Sequence, residues 1–425
     1  MRWKDVARRK PLILQGARQV GKTYLLKEFG SSAFKNFIYC NFESEPTLRA
    51  AFSSSLKPVR ILELLSAFFG VAIKPQETLI VFDEIQECGP ALTSLKYFHE
   101  DAPEYAVVAA GSLLGVALAE QSSFPVGAVE FLSMGPLSFF EFVCASGRQS
   151  QVDFVRGEPP QSPIPEPIAS ELLRLFLQYQ IVGGMPESVQ RFIDTESFEE
   201  VRQVQDAILK SYVNDFAKHA PRADLDAVLS VWDAIPAILG CENKKFTYSK
   251  ISSGARSAQF ERAITWLVQA GVVNRVKRLQ GIKMPLRSQV DERAFKLYLI
   301  DVGLLCAQMK ISPALILTPE KLLGEYSGAI AESFVAQELS SFGLLPLYYW
   351  TSAGEAEIDF ILELKDSVVP LEVKAGHNLK SRSLTSYVSK FAPSYALRAS
   401  LANFNQSGAI LNCPLYALEL IKSRS

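Results

Sequence analysis

At 425 residues the chain is longer than one ordinary hydrophobic core serves, so two or three domains are expected. Its 48% apolar and 21% charged residues are those of a soluble globular protein and exclude a disulfide scaffold. A net charge of −1 names no partner, because a neutral total can conceal a local basic patch.

The six cysteines, Cys40, Cys88, Cys144, Cys241, Cys306 and Cys413, stand singly, without metal-ligand spacing, and read as reduced core residues. The charged start Met1-Arg2-Trp3-Lys4-Asp5 is followed by no apolar segment of a secretory signal. The longest uncharged apolar run, Ala106 to Ala119, is shorter than the ~20 residues of a membrane span. A cytoplasmic protein without a membrane partner is expected.

In chain order, Pro11–Gln15, Phe37–Phe42, Thr78–Phe82 and Tyr105–Ala110 read as buried strands, and Thr23–Phe29, Val59–Phe69 and Pro90–Phe98 as the helices between them. This alternation predicts a parallel α/β sheet over residues 1–150. Five prolines between Gly157 and Pro167 predict a linker over 151–168. Helical spacing of Leu172, Leu175, Phe176 and Tyr179 opens a helical region, 169–240. A helix from Ser257 to Ala270, then Gly271-Val272-Val273 and a candidate hairpin, suggest a winged-helix-like domain over 241–323. The last domain, 324–425, begins with a helix through Leu339 and continues with strands at Tyr348-Tyr349-Trp350, Ile358–Leu364 and Val368–Val373.

Gly16-Ala17-Arg18-Gln19-Val20-Gly21-Lys22-Thr23 lies between the first strand and the first helix. Glycines let backbone N–H groups approach phosphate oxygens, Lys22 can reach the β and γ phosphates, and the Thr23 hydroxyl can ligate Mg²⁺. The helix N-terminus adds partial positive charge. Leu79-Ile80-Val81-Phe82-Asp83-Glu84 is an apolar strand ending in two acids. Asp83 is the candidate Mg²⁺ ligand, and Glu84 the candidate general base that polarises the attacking water. Ser112, after the strand Val107–Ala110, is either a γ-phosphate sensor or a turn residue. Arg18 is either a phosphate contact or a surface charge. ATP with Mg²⁺ is therefore the expected cofactor pair.

These blocks, with Asn41-Phe42-Glu43 and Asp83-Glu84-Ile85-Gln86, resemble the bacterial and archaeal AAA-superfamily ATPases whose C-terminal half is a domain of unknown function of the DUF4143 type. Phe124-Pro125-Val126-Gly127, Pro136-Leu137-Ser138-Phe139, Gly183-Gly184-Met185-Pro186-Glu187 and Leu297-Tyr298-Leu299-Ile300-Asp301-Val302-Gly303-Leu304-Leu305 extend the resemblance along the chain. It implies an AAA-like P-loop NTPase sheet, and a basic residue after Pro-Val-Gly, where this sequence has Ala128.

Glu332, Asp359 and the pair Glu372-x-Lys374 resemble the PD-(D/E)xK nuclease fold, an α/β restriction-endonuclease-like domain. In that reading Glu332, Asp359 and Glu372 are metal ligands, and Lys374 orients the nucleophilic water. The alternative is an ion pair between Glu372 and Lys374 on a strand edge.

Between Cys241 and Val290, Lys244, Lys245, Lys250, Arg256, Arg262, Arg275, Lys277, Arg278, Lys283 and Arg287 face only Glu242 and Glu261, ten against two, a net of +8. On a winged helix that is the footprint of a DNA-backbone reader, although a solvated face or a protein contact has the same composition. Two functions stay open: an ATPase driving DNA-directed and nuclease-like domains, and a nucleotide-regulated switch or assembly module without nuclease activity. A homo-oligomer is compatible with both.

Overall fold

The computed structural model describes residues 3–6, 8–112, 127–159, 162–241, 244–246, 257–318, 324–352, 354, 356–365 and 367–424. It comprises two compact units, Met1–Gly135 with Gln269–Gly271, and Pro136–Val268 with Val272–Ser425.

The first unit is built on five strands, β1 (Leu12–Gln15), β2 (Asn36–Asn41), β3 (Thr78–Asp83), β4 (Ala106–Gly111) and β5 (Glu130–Ser133). They run in the order β2-β3-β4-β1-β5, and every pairing is parallel. All residues of β3 and β4 are buried, as expected of central parallel strands covered on both faces. Period-2 alternation then sorts their side chains. Ile80, Phe82, Val107 and Ala109 pack with Phe52, Leu65, Leu92 and Phe98 of the helices Leu48–Ser54, Pro58–Phe69 and Gly89–Asp101. Leu79, Val81, Val108 and Ala110 pack with Leu26 and Phe29 of the helix Lys22–Ala33. This is an α/β layered fold of the P-loop NTPase kind. Four of the five strands are legible as apolar runs; β5, exposed along its length, carries no such signal.

The second unit begins with helices. Ser138 caps Phe139–Ala145 through a reciprocal capping box with Glu141. The helix Gln149–Gly157 occupies the start of the expected linker, and Ile164, further along it, exchanges two backbone hydrogen bonds with the Asn403 side chain. The helices Glu166–Val182, Pro186–Thr195, Phe198–His219 and Leu225–Leu239 fill the expected helical region.

The sheet of this unit has eight strands: β6 (Val273–Leu279), β7 (Val290–Leu299), β8 (Leu347–Thr351), β9 (Glu357–Leu364), β10 (Ser367–Val373), β11 (Ala396–Ser400), β12 (Asn405–Ser407) and β13 (Ile410–Pro414), in the order β12-β13-β11-β10-β9-β8-β6-β7. The helix Ser257–Gln269 and the β6–β7 hairpin follow the expected sequence of elements. That hairpin does not stand free as a wing, because β6 pairs in parallel with β8. The expected division at 323/324 thus runs through one continuous sheet. Residues 247–256, the start of the expected winged helix with Lys250 and Arg256, lie outside the described residues.

Several of the sequence blocks that carry the resemblance meet inside this unit. Asp301 accepts from Gly184 N at 2.6 Å and from Leu304 N at 2.8 Å, while Gln337 accepts from Val302 N at 2.8 Å. Leu137 N donates to Gly184 O at 2.7 Å, and the Tyr179 hydroxyl donates to Leu137 O. Gly183, at φ 73° and ψ −168°, takes a backbone conformation that is essentially glycine-only. A Cβ at Gly184 would collide with Leu137 O. Burial pushes the Asp301 carboxyl up to about 6, against the hydrogen bonds from Gly184, Leu304 and Gly303 that pull it down.

Candidate active site

The loop Gly16–Gly21 joins the carboxyl end of β1 to the helix Lys22–Ala33. β1 lies between β4 and β5 and runs parallel to both, so the loop that follows it opens at the carboxyl ends of three strands. The loop needs its glycines. A Cβ at Gly16 would collide with Met134 O, and Gly21 has φ 94°, in the left-handed region.

Lys22 is buried, and its ammonium donates to Gly16 O at 2.9 Å and Ala17 O at 2.7 Å. Burial pushes it down to about 8, against the pull of Glu84 and Asp83, and Arg18 adds to the depression. The next side chain, Thr23, donates to Asp83 Oδ2 at 2.8 Å. That oxygen also accepts from the Tyr39 hydroxyl of β2, which burial and the Asp83 contact raise to about 12. Asn41 Nδ2 donates to the same hydroxyl at 3.3 Å, and Lys27 lies 4.5 Å from the Tyr39 ring centre. Asp83 Oδ1 accepts from Glu84 N at 3.0 Å.

Glu84 sits just past β3 with a left-handed backbone, φ 50° and ψ 46°, a conformation uncommon outside glycine and found at functional sites. Its Oε2 accepts from Gln86 Nε2 at 2.6 Å and from Ser112 Oγ at 3.5 Å. Arg18 Nε donates to Ser112 Oγ at 3.2 Å. The geometry brings together Arg18, Lys22, Thr23, Asp83, Glu84 and Ser112. Tyr39 and Gln86 join them without having been singled out from the sequence. Gln86 lies in the block Asp83-Glu84-Ile85-Gln86, whereas Tyr39 belongs to a strand that also carries Asn36 and Asn41, where nothing marks its hydroxyl.

Thr23 and Asp83 fit a Mg²⁺ ion, being a hydroxyl and a carboxylate already within 2.8 Å of each other beside a lysine. Such an ion is held by oxygen ligands, with phosphate and water completing its octahedron.

The C-terminal carboxylates have a different arrangement. Lys296, on β7, is 1% exposed and lies 2.6 Å from Glu357, 3.4 Å from Glu332 and 3.9 Å from Asp359. Glu332 also pairs with Lys244 at 2.5 Å and accepts from the Tyr298 hydroxyl at 2.7 Å. Burial would raise Glu332, but Lys296 and Lys244 outweigh it and hold the carboxyl down to about 2. Burial and the neighbouring Glu332 charge raise Asp359 to about 7, even though it accepts from Val373 N at 2.8 Å. Glu372 accepts from the Ser381 hydroxyl and from Leu384 N at 3.1 Å, and pairs with Lys374 at 2.6 Å. Among the described residues no group of three or more His, Cys, Asp or Glu side chains is disposed to hold a metal ion. A lysine ammonium stands where a metal would compensate Glu332 and Asp359, so these residues do not fit a divalent ion as they are arranged.

The basic stretch is largely paired within its own unit. Arg262 binds Asp224 at 2.6 Å, Arg275 binds Glu261 at 2.5 Å, Lys277 binds Glu292 at 2.7 Å, and Arg278 binds Asp291. Most of the partners lie outside the window whose charge was counted. Among the described residues no helix is long and apolar enough to cross a membrane.

Family models match three segments: an AAA domain over residues 8–143, a domain of unknown function (DUF8612) over 173–315, and a domain of unknown function (DUF4143) over 327–417. Comparison with curated proteins gave no match. Among solved structures, a Walker-type ATPase of Pyrococcus abyssi is similar at 15% identity and a TM-score of 0.42, over 70% of this chain and 91% of its own. The ORC2 protein of Aeropyrum pernix, solved in ADPNP–ADP complexes, is similar at 14% identity and a TM-score of 0.35, over 74% and 89%. Drosophila ORC bound to DNA is similar at 12% identity and a TM-score of 0.24, over 75% and 91%.

Proposed function

We propose that this chain, which carries an AAA domain over residues 8–143 and a DUF4143 domain over 327–417, binds ATP with Mg²⁺ and hydrolyses it, and that its C-terminal half responds to nucleotide state without cutting nucleic acid. The observation that carries the ATPase reading is the Thr23–Asp83 contact of 2.8 Å beside a lysine already seated in the phosphate loop. Mg²⁺ at these two oxygens would neutralise charge on the β and γ phosphates.

The chain's own groups do the rest. Backbone N–H groups of the loop and helix N-terminus receive phosphate oxygens, and Lys22 exchanges the Gly16 and Ala17 carbonyls for them. Glu84 takes the proton of the attacking water, whose oxygen bonds to the γ-phosphorus as the β–γ bridging bond breaks and its electron pair leaves with ADP. Ser112, within hydrogen-bond reach of Glu84, orients that acid. Lys296 supports the second half of the reading, because a fixed ammonium takes the position a cleavage metal would require.

Phosphate release from ATP, measured for the native chain, Lys22→Ala and Glu84→Gln, tests the proposal. Lys22→Ala is expected to lose ATP binding. Glu84→Gln is expected to keep ATP binding and lose turnover about 10²–10⁴-fold. Native turnover in Glu84→Gln would remove Glu84 from the chemistry. Adding single- or double-stranded DNA across a salt series is expected to change the rate less than about twofold; a large, salt-sensitive stimulation would instead favour a DNA-directed machine.

A further inference from the structure

The phosphate loop contains a second cation, and its side chain reaches across the site. Arg18 Nε donates to Ser112 Oγ at 3.2 Å, and Ser112 Oγ in turn lies 3.5 Å from Glu84 Oε2. Ser112 follows β4 and Glu84 follows β3, so Arg18, anchored at the end of β1, extends over the carboxyl ends of neighbouring strands to the side where the water is activated. Lys22, four residues later, turns its ammonium back onto the carbonyls of Gly16 and Ala17, which precede Arg18. The two cations are close enough for Arg18 to depress Lys22 electrostatically. Two cations in one phosphate loop, beside the Glu84 and Asp83 carboxylates, suit the polyanionic triphosphate that such a loop receives.

We infer that Arg18 is a catalytic residue of the ATPase, an arginine supplied in cis from inside the loop, whose guanidinium meets the γ-phosphate oxygens as negative charge spreads over them. A planar fork of N–H donors suits that geometry. Arg18 forms and breaks no covalent bond. Its hydrogen bond to Ser112, which reaches Glu84, ties the general-base region together, and contact with the γ-phosphate draws the guanidinium away and leaves Glu84 to the water.

This inference rests on the ATPase reading, and the experiment separates the two. Binding of a fluorescent ATP analogue and single-turnover hydrolysis are measured for Arg18→Ala, Arg18→Lys, Ser112→Ala and Lys22→Ala, with formation of an ADP–aluminium fluoride complex as a further readout. Arg18→Ala is expected to bind ATP within about threefold of native, to hydrolyse it on the order of 10³-fold more slowly, and to fail to trap ADP–aluminium fluoride. Arg18→Lys should recover part of the rate. If Arg18 acted only through Ser112, adding Arg18→Ala to Ser112→Ala would cause no further loss, and the assignment would be overturned.

Mixing Arg18→Ala with Lys22→Ala chains decides between cis and trans. No recovery is expected, and restored hydrolysis would move the arginine to a neighbouring copy and overturn the cis assignment. Undiminished turnover in Arg18→Ala while Lys22→Ala loses ATP would sink this inference alone. Retained ATP binding in Lys22→Ala would sink the ATPase reading beneath it.

Discussion

Lys22 rests on two carbonyls of its own loop, with its ammonium pushed down to about 8 by burial. Its ordinary value is 10.5, so between about pH 8 and 10.5 the unfolded chain holds a proton that the folded chain has lost. Stability of the nucleotide-free protein through this group therefore rises across that window. Phosphate favours the ammonium, so ATP affinity should fall as pH climbs through 8. Denaturant unfolding and ATP titration from pH 7 to 10, with Lys22→Arg as control, check both directions; an ATP affinity independent of pH in the native chain would contradict them. Lys22, Thr23, Asp83 and Glu84 were legible because they lie in contiguous blocks with a chemical reason for each residue type. Tyr39 was not, since its hydroxyl reaches Asp83 only through the register of β2 on β3, where Asn41 faces Asp83. Tyr39→Phe is expected to raise the Mg²⁺ concentration for half-maximal hydrolysis severalfold while leaving metal-free ATP binding unchanged.

At the scale of elements, apolar runs located β1 to β4 and β8 to β10, most sharply β3 and β4, which are buried at every position and so are almost wholly apolar. β5 and β12 are exposed along their lengths, and composition gives no reason to separate them from loops. The β6–β7 hairpin shows a subtler gap: its alternation was readable, but its partner β8 lies about seventy residues further on, and no local pattern encodes that pairing. The Gly183-Gly184 and Asp301 blocks were visible as specific motifs without a stated role. Their meeting point supplies one, since neither glycine position has room for a side chain and Asp301 caps the helix Val302–Gln308 while receiving Gly184 N. Gly184→Ala forces backbone against backbone and is expected to destabilise the second unit by more than about 2 kcal/mol. A denaturation midpoint unchanged from native would refute this.

For the whole molecule, charge is better read by pairs than by windows. The +8 stretch contains Arg262, Arg275, Lys277, Arg278 and Lys244, each held by an acid of the second unit. Duplex binding through this region should consequently show a shallow salt dependence, a slope magnitude below about 4, where ten phosphate contacts would give about 9. Lys296 obeys the same logic inside the protein. Lys296→Met would leave Glu332, Glu357 and Asp359 short of their shared cation, at a cost of about 3–5 kcal/mol. Asp359, already raised to about 7 by burial and the Glu332 charge, would rise further without Lys296. The deficit should therefore be largest above pH 7 and shrink toward pH 5, which thermal unfolding across that range would register.

The order of strands also sets a schedule for biosynthesis. Among the described residues β1 pairs with β4 and β5, and its first partner, Val108 beside Leu12, is made nearly a hundred residues later. At ribosomal speeds the first strand waits on the order of 5–20 s for a neighbour. The nucleotide loop attached to it is translated well before β4 and takes shape only once β4 is made, so truncated nascent chains ending before β4 should not retain ATP.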